Sequence, residues 1–577
     1  MTRAKHSSSV TVSIVVFIFG LIMFSTSLWL TLAVISRHVA GHNAGASSGD
    51  IAWPIFDGGG SDTGNNTSES VLNASNVHSL TKLWQATTTN PADDAVVEQP
   101  NVSTSQGTMD LVFVNSIQGN LAAYNAATGA KIWEDDPSAA NYNGQGTKST
   151  PAIDPSGNYI YAYALDGYIH KYNIANGSEV SGTGFPAQVT LLANNIEKGS
   201  ASINIGGGYL YITISGNDGD YGHYVGHIVA INLATGAKTV WNSECSNITQ
   251  LEDATSGDAN FCSDTESGMW ARPGVKIDPV TGNIFAVTGN GKYNASSGGH
   301  DWGDSIVELT PGLGQLVDSY TPVSYQSLQN NDADLGSTAP VLLPTQANSN
   351  TPYMLVQSGK DNAVRLINRA NMSGAGSAGH VGGEMQTLNI SDEVHEQPAE
   401  WTDPSGNVWV FVTDESLDLY AYKLVTTNGV SSLVQQYHLS GVAKTSPFIA
   451  NGVLFLDGNN ILALNPTTGA TLFSSSSIGV SLNQHWESPV VVNGTLFTPD
   501  YNGNLIALHV PGATPSPSAT PTPSGKVGDL NNDGQVNIFD LSVLLSAWGA
   551  NNATADLNHD GTVNVFDLSL LLSHWGT

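Results

Sequence analysis

Apolar and polar residues alternate along most of this chain in runs of four to eight, and the runs recur in groups of three. Residues 451–475, NGVLFLDGNNILALNPTTGATLFSS, show the unit. Two short strands flank an Asp-Gly turn, and a Thr-Gly turn leads into a third strand. Edited copies stand at residues 111–134, 159–180 and 210–241, and four looser ones bring the total to eight. Each copy is preceded by a Pro- or Ala-marked strand start, so the repeat of roughly 45 residues is a four-stranded propeller blade. A single blade cannot bury both faces, whereas a closed ring can. The pattern therefore predicts a mainly β fold, an eight-bladed β-propeller, with seven blades as the alternative count.

The last copy ends after its third strand. An orphan strand, LWQATT at residues 83–88, precedes the first full copy. Pairing the two leaves no open sheet edge at the seam. Outside the repeats, an apolar stretch from Val10 to Ile35 follows Arg3 and Lys5. It suits a bilayer span better than a signal-peptide core, with its N-terminal end cytoplasmic. A signal-anchor and a cleaved signal peptide both place the remainder outside the cell. The expected layout is a stub and anchor over 1–40, a tether over 41–50, the propeller over 51–510, a Pro/Ser/Thr linker over 511–525 and a separate module over 526–577.

Charge narrows the partners. Lys and Arg number 18 against 49 Asp and Glu, a formal net charge of −31. Nucleic acid needs a basic face, so it is excluded as a partner. The only cysteines, Cys245 and Cys262, are too far apart for a CxxC motif, and in an exported protein they are expected to pair. His223 and His227 lie in a Gly-rich loop rather than on a helix, which argues against zinc.

The C-terminal module is a duplication offset by 27 residues: DLNNDGQVNIFD with LSVLLSAWG, then DLNHDGTVNVFD with LSLLLSHWG. Oxygen ligands fall at loop positions one, three, five, seven, nine and twelve, with glycine at six, the spacing of an EF-hand-like calcium loop. In the first loop these are Asp529, Asn531, Asp533, Gln535 (through its carbonyl), Asn537 and Asp540. In the second they are Asp556, Asn558, Asp560, Thr562 (through its carbonyl), Asn564 and Asp567. Two calcium ions are expected. Asp at position twelve, and a loop followed by a helix with none before it, resemble a type I dockerin. That resemblance implies docking to a cohesin-like partner in a polysaccharide-degrading system. Ile538-Phe539 and Val565-Phe566 replace the small polar residues usual at the cohesin-facing positions.

At the blade starts, charges precede the marker residue: Glu98, Lys148, Lys198, Arg272, Asp334, Glu396, Lys444 and Glu487. In a propeller these would ring a central pocket. The WPIFDGGG…NNTSESVLNASNVHSLTKLW segment and the ATGAKxxW endings resemble quinoprotein propellers, the pyrroloquinoline quinone (PQQ) dehydrogenases and their non-enzymatic relatives. The resemblance implies a PQQ site built from Glu98, Lys148, Trp270 as the floor, and Lys360. It also implies a calcium site at Asp220 and Asn290, with Asp301 near the catalytic base. Calcium would polarise the quinone carbonyl and Asp301 would take the alcohol proton. The chain departs from the family in lacking an adjacent-cysteine disulfide and a haem-attachment CxxCH. Asp220 is shorter than the usual Glu, and Lys148 lacks arginine's fork. Three functions follow as expectations: a surface or secreted binding and scaffold protein that docks through its C-terminal module, a PQQ- and calcium-dependent alcohol or sugar dehydrogenase, or a glycan-acting component.

Overall fold

A computed structural model describes residues 51–58, 63–137, 141–193, 196–253, 256–443, 445–513 and most of 528–575. The chain divides into two compact units, Met1–Pro515 and Ser516–Thr577. The stretch from Val10 to Ile35 lies outside the described residues. Among the described residues no helix is long and apolar enough to cross a membrane.

The first unit is an eight-bladed β-propeller of eight sheets, antiparallel throughout except where Asn65–Asn66 pairs parallel with Phe448–Ala450. Its innermost strands are, in blade order, Val97–Thr104, Ala152–Ile153, Asn204–Gly206, Lys276–Ile277, Val341–Leu342, Ala399–Thr402, Phe448–Ala450 and Val490–Val492. A proline immediately precedes the inner strand in blades 2, 5, 6, 7 and 8. An inner strand has a free edge toward the axis, where the missing N–H costs nothing. The expected ring closure is present. Thr81–Thr87 pairs antiparallel with Asn504–His509 and supplies the outer strand of blade 8.

The core lies between the blades. The middle strands are apolar on both faces, as in Val408–Thr413 and Val453–Asp457, which are buried throughout. Separate apolar clusters fill successive seams. Val97, Phe113, Ile160 and Tyr172 join blades 1 and 2, while Phe411, Leu419, Ile449 and Leu454 join blades 6 and 7.

One seam device repeats. In the loops N-A-A-T-G (125–129), N-I-A-N-G (173–177) and N-P-T-T-G (465–469), the Asn side chain accepts backbone N–H bonds from the following residues. The glycine then turns left-handed, with φ of +72°, +70° and +71°. An aromatic ring on the preceding blade's outer strand packs on that glycine. Trp84 covers Gly129, Trp133 covers Gly177 and Tyr437 covers Gly469; an added Cβ would meet the ring at 2.6, 2.5 and 2.9 Å. Each ring also donates to the second carbonyl of the loop: Trp84 to Ala126 O at 2.8 Å, Trp133 to Ile174 O at 2.9 Å and Tyr437 to Pro466 O at 2.8 Å.

Residues 51–58 and 63–72 cross several blades at one end of the ring. Ile51 N donates to Asn493 Oδ1 at 2.9 Å on blade 8. Trp53 exchanges backbone bonds with Glu98 on blade 1, and Pro54 O accepts from Ile153 N on blade 2. Asp57 meets Lys276 of blade 4 at 2.9 Å, an ion pair with both side chains buried. Thr63 O and Gly64 O accept from Glu400 N and Ile449 N on blades 6 and 7. Asn66 Nδ2 returns to Val491 O on blade 8 at 2.8 Å.

In the second unit, helices Ile538–Ser546 and Val565–Ser573 pack around Val536, Leu544, Val563 and Leu571. The disulfide Cys245–Cys262 is formed, with Cα atoms 5.8 Å apart.

Replacing Trp84 with Ala is expected to cost about 3–5 kcal/mol through the cavity at the closing seam. Trp84→Phe, which keeps a ring but loses the N–H, should cost about 1 kcal/mol. Urea midpoints of the two variants test this ordering.

Candidate functional site at the propeller axis

The strand starts bring distant residues to one place. Arg272, ahead of blade 4, crosses to the opposite wall, where one Nη donates to Asp93 O and to Trp486 O, each at 2.6 Å. Asp93 precedes blade 1 and Trp486 precedes blade 8. Asp93 accepts from the Trp486 N–H at 3.0 Å and meets His485 Nδ1 at 2.8 Å. Burial pushes the Asp93 carboxyl up, but the His485 hydrogen bond and the Arg272 and Lys148 charges outweigh it, so its pKa falls below the usual value. The neighbouring carboxyls behave oppositely. Asp94, Glu396 and Glu487 are buried around Arg272, and burial lifts each pKa well above the carboxylate range.

Above this charged layer three rings form a chain across the mouth. Trp270 and His395 meet T-shaped at 5.6 Å, and His395 meets Trp486 T-shaped at 5.6 Å. Glu415 steadies two of them, accepting from Trp486 Nε1 at 3.2 Å and lying 3.1 Å from His395 Nδ1. Lysines cover the outer rings: Lys148 Nζ lies 3.7 Å from the Trp486 centroid and Lys360 Nζ 5.8 Å from that of Trp270. Lys360 is held by Asp334 at 2.7 Å and Asp332 at 3.3 Å. Asp334 also accepts from the Asn290 backbone N–H at 2.7 Å. Burial raises the Asp334 pKa despite Lys360, while the two aspartates raise that of Lys360 against its burial. Burial lowers Lys148 to about 8, opposed by Asp93 and Asp218.

Lys148, Trp270, Asn290 and Lys360 are thus joined by one chain of contacts, from Lys148 over Trp486 through His395 and Trp270 to Lys360, and by Asp334 to the Asn290 backbone. Asp220 is exposed, at φ +53°, and its carboxylate accepts from Tyr224 Oη at 2.6 Å. Two sequence-expected residues stand apart. Glu98 lies at the floor, its backbone bridged to Trp53 and its carboxylate 3.3 Å from Asn493 Nδ2. Blade 1 meets the axis earlier, at Asp93 and Asp94. Asp301 meets Cys245 N, Asn294 and Lys292 rather than Trp270 or Lys360. Lys444 lies outside the described residues. His395, His485, Trp486 and Asp93 had no place in the sequence reading. The repeated signal was there, since HEQP and HWESP carry His or Trp directly before the buried Glu.

The profile of the glucose/ethanol/alcohol dehydrogenase β-propeller domain matches residues 53–373, more than half of the chain. The chain belongs to this family. The dockerin type I domain matches residues 527–574. The family propeller also resembles solved structures at low identity. The quinohemoprotein alcohol dehydrogenase of Comamonas testosteroni is 15% identical with a TM-score of 0.56, covering 81% of each chain. Quinohemoprotein alcohol dehydrogenase ADHIIG of Pseudomonas putida HK5 is 12% identical with a TM-score of 0.57, covering 88% of this chain and 87% of that one. A europium-containing methanol dehydrogenase is 12% identical with a TM-score of 0.55, covering 79% and 98%. These likenesses show the fold. No curated protein matches the chain in sequence.

In the dockerin-type unit, Asp540 and Asp567 are fully buried at the helix starts. Asp540 accepts from Leu530 N at 2.7 Å and Asn537 N at 2.8 Å, and Asp567 accepts from Asn564 N at 2.8 Å. Both position-twelve carboxylates are thereby held inside their loops. The other expected ligands, Asp529, Asn531, Asp533, Gln535, Asp556, Asn558, Asp560 and Thr562, lie outside the described residues.

The Lys148 ammonium over Trp486 should lose its proton near pH 8. Tryptophan fluorescence is expected to change with a midpoint there, charged below and neutral above, and the transition should vanish in Lys148→Met. Replacing Asp540 or Asp567 with Ala should each remove one bound calcium, counted by calorimetric titration of the full chain.

Proposed function

We propose that this is an extracellular binding protein. Its propeller holds a planar, anionic, carboxylate-bearing ligand at the axis, and its dockerin-type module, with two calcium ions, attaches it to a cohesin-like partner. The observation that carries the reading is the cation-rich aromatic pocket. In a chain with 18 basic residues against 49 acidic ones, Lys148, Arg272 and Lys360 meet at one mouth over Trp486 and Trp270. Arg272 is buried, and its Nε and second Nη have no hydrogen-bond partner, so donors remain for an anion. The residues therefore fit the quinone cofactor that the family implies. When bound, that group would supply the electron-accepting chemistry.

A second reading, a PQQ- and calcium-dependent dehydrogenase, is favoured by a specific arrangement. Asp334 stands between Lys360 and the Asn290 backbone, beside Trp270. Its burial raises its proton affinity, which suits a general base better than an ion-paired surface carboxylate. On this reading Asp334, rather than Asp301, would take a substrate proton, and Asp220 and Asn290 would offer oxygens to calcium.

Titrating the full chain with PQQ and calcium separates the readings. Saturable quenching of tryptophan fluorescence without dye reduction over an alcohol and sugar panel supports binding alone. Dye reduction that Asp334→Asn abolishes supports the dehydrogenase. Lys360→Ala should weaken PQQ about tenfold, the scale of one charge-assisted bond. No quenching and no turnover would remove the ligand from both. A cohesin array probed with and without chelator tests the docking half.

A further inference from the structure

Two lysines of neighbouring blades share one carboxylate. Lys198 ends the short strand Glu197–Lys198, which pairs antiparallel with Tyr209–Gly216, so its backbone is fixed on blade 3. Lys148 precedes the inner strand of blade 2, Ala152–Ile153. Lys198 Nζ lies 2.8 Å and Lys148 Nζ 3.8 Å from the same atom, Asp218 Oδ1. Gln145 Oε1 accepts from the Asp218 N–H at 3.0 Å and from Lys198 Nζ at 3.3 Å. Among the described residues Asp218 is the only carboxylate within ion-pair distance of either lysine. The pairing is lopsided. The Lys198 side chain is 2% exposed and that of Asp218 63%. Asp218 stands in the loop between Tyr209–Gly216 and His227–Asn232, followed by left-handed glycines at 219 and 222, with φ of +92° and +90°. Glycine leaves that backbone more freedom than any other residue would. The ammoniums are therefore built in, and the carboxylate can leave.

Burying an ammonium is costly unless an anion meets it. Here two ammoniums meet one carboxylate, and Arg272 adds to the excess. Burial, and after it the Lys198 and Arg272 charges, lower the Lys148 pKa against Asp93 and Asp218. A chain of net charge −31 thus keeps a surplus of positive charge beside Trp486, whose ring centroid lies 3.7 Å from Lys148 Nζ. A carboxylate carried on a flat ring suits both features, an oxygen for the ammoniums and an aromatic body for the indole. We propose that Lys148 and Lys198 form a subsite for a ligand carboxylate, and that Asp218 is its internal stand-in, which the ligand displaces. Lys198 thereby gains a binding role and Asp218 a restraining one. The inference rests on the reading of the axial site as the holder of an anionic, carboxylate-bearing ligand. It adds where one carboxylate goes and what competes for the place. An uncharged alcohol or sugar cannot replace the Asp218 charge, so the subsite selects anions.

The test titrates PQQ and, separately, phthalate into the full chain and reads tryptophan fluorescence. Asp218→Asn, a change at an exposed side chain, should bind both about fivefold more tightly than the unsubstituted chain, the size of one exposed ion pair. Asp218→Glu, which restores a carboxylate, should return the affinity to its starting value. Asp258→Asn makes the same charge change at an exposed aspartate that pairs with neither lysine, and should have no effect. Adding Lys198→Met to Asp218→Asn should weaken both probes about tenfold, the scale of one charge-assisted bond. If Asp218→Asn and the unsubstituted chain bind the probes equally, the subsite is overturned while PQQ keeps its place at the axis. An equal gain in Asp258→Asn assigns the effect to net charge and overturns it too. Phthalate tightened by Asp218→Asn with no binding of PQQ upholds the subsite and removes PQQ. Binding of neither probe by Asp218→Asn overturns both.

Discussion

The molecule depends on aromatic rings of one blade resting on left-handed glycines of the next. Trp84 on Gly129, Trp133 on Gly177 and Tyr437 on Gly469 join apolar burial to a hydrogen bond on a fixed carbonyl. Burial supplies most of the stabilisation, and the N–H or O–H fixes the angle at which the blades meet. Neither partner works alone. A side chain on the glycine would push the ring away, and an aliphatic residue in place of the ring would leave the carbonyl without its donor. Where blade 2 offers no ring to blade 3, the backbone at Thr183 and Gly184 approaches Gly236 directly, within 2.6 Å of where its Cβ would be.

With the walls fixed in this way, the axis becomes a place where opposite blades can touch. Arg272 spans it, and residues 51–58 and 63–66 bond to several blades at one end. The carboxyls around Arg272 outnumber the cations, and burial settles the excess by favouring the protonated forms of Asp94, Glu396 and Glu487. Asp93 shifts the other way, because the His485 hydrogen bond and the Arg272 and Lys148 charges outweigh its burial. The same backbone geometry thus makes neighbouring carboxyls differ in charge.

The architecture was legible because it is periodic. Alternating apolar runs recur in every copy, with Pro-marked strand starts and the Asn-x-x-Thr/Asn-Gly turn in several, so the blade count and the orphan strand at Trp84 could be read from spacing. The site was legible only in part, because its members come from loops. The resemblance pointed to Lys148, Trp270 and Lys360, and the ring of charged strand starts marked Arg272 and Asp334. Glu98 and Asp301 contact other groups than those three, through local detail that periodicity does not carry. At Glu98 the N-terminal segment pairs with blade 1 and draws the side chain to the floor. At Asp301 the Cys245 N–H and the Asn294 amide hold the carboxylate. His395 and Trp486 escaped notice because one residue's offset beside a buried glutamate decides whether a ring faces the axis.

The closing strand has a consequence for how the protein comes to exist. Thr81 Oγ1 reaches His509 O across 428 residues of chain. A polypeptide emerging from its N-terminus must hold that strand unpaired until almost the whole ring has been made. Loop closure of this span is slow, and the waiting edge can pair with the wrong chain. Folding is thereby coupled to completion: a chain cut short before residue 504 offers Thr81–Thr87 no proper mate, so incomplete products are marked for aggregation or destruction by their own open seam.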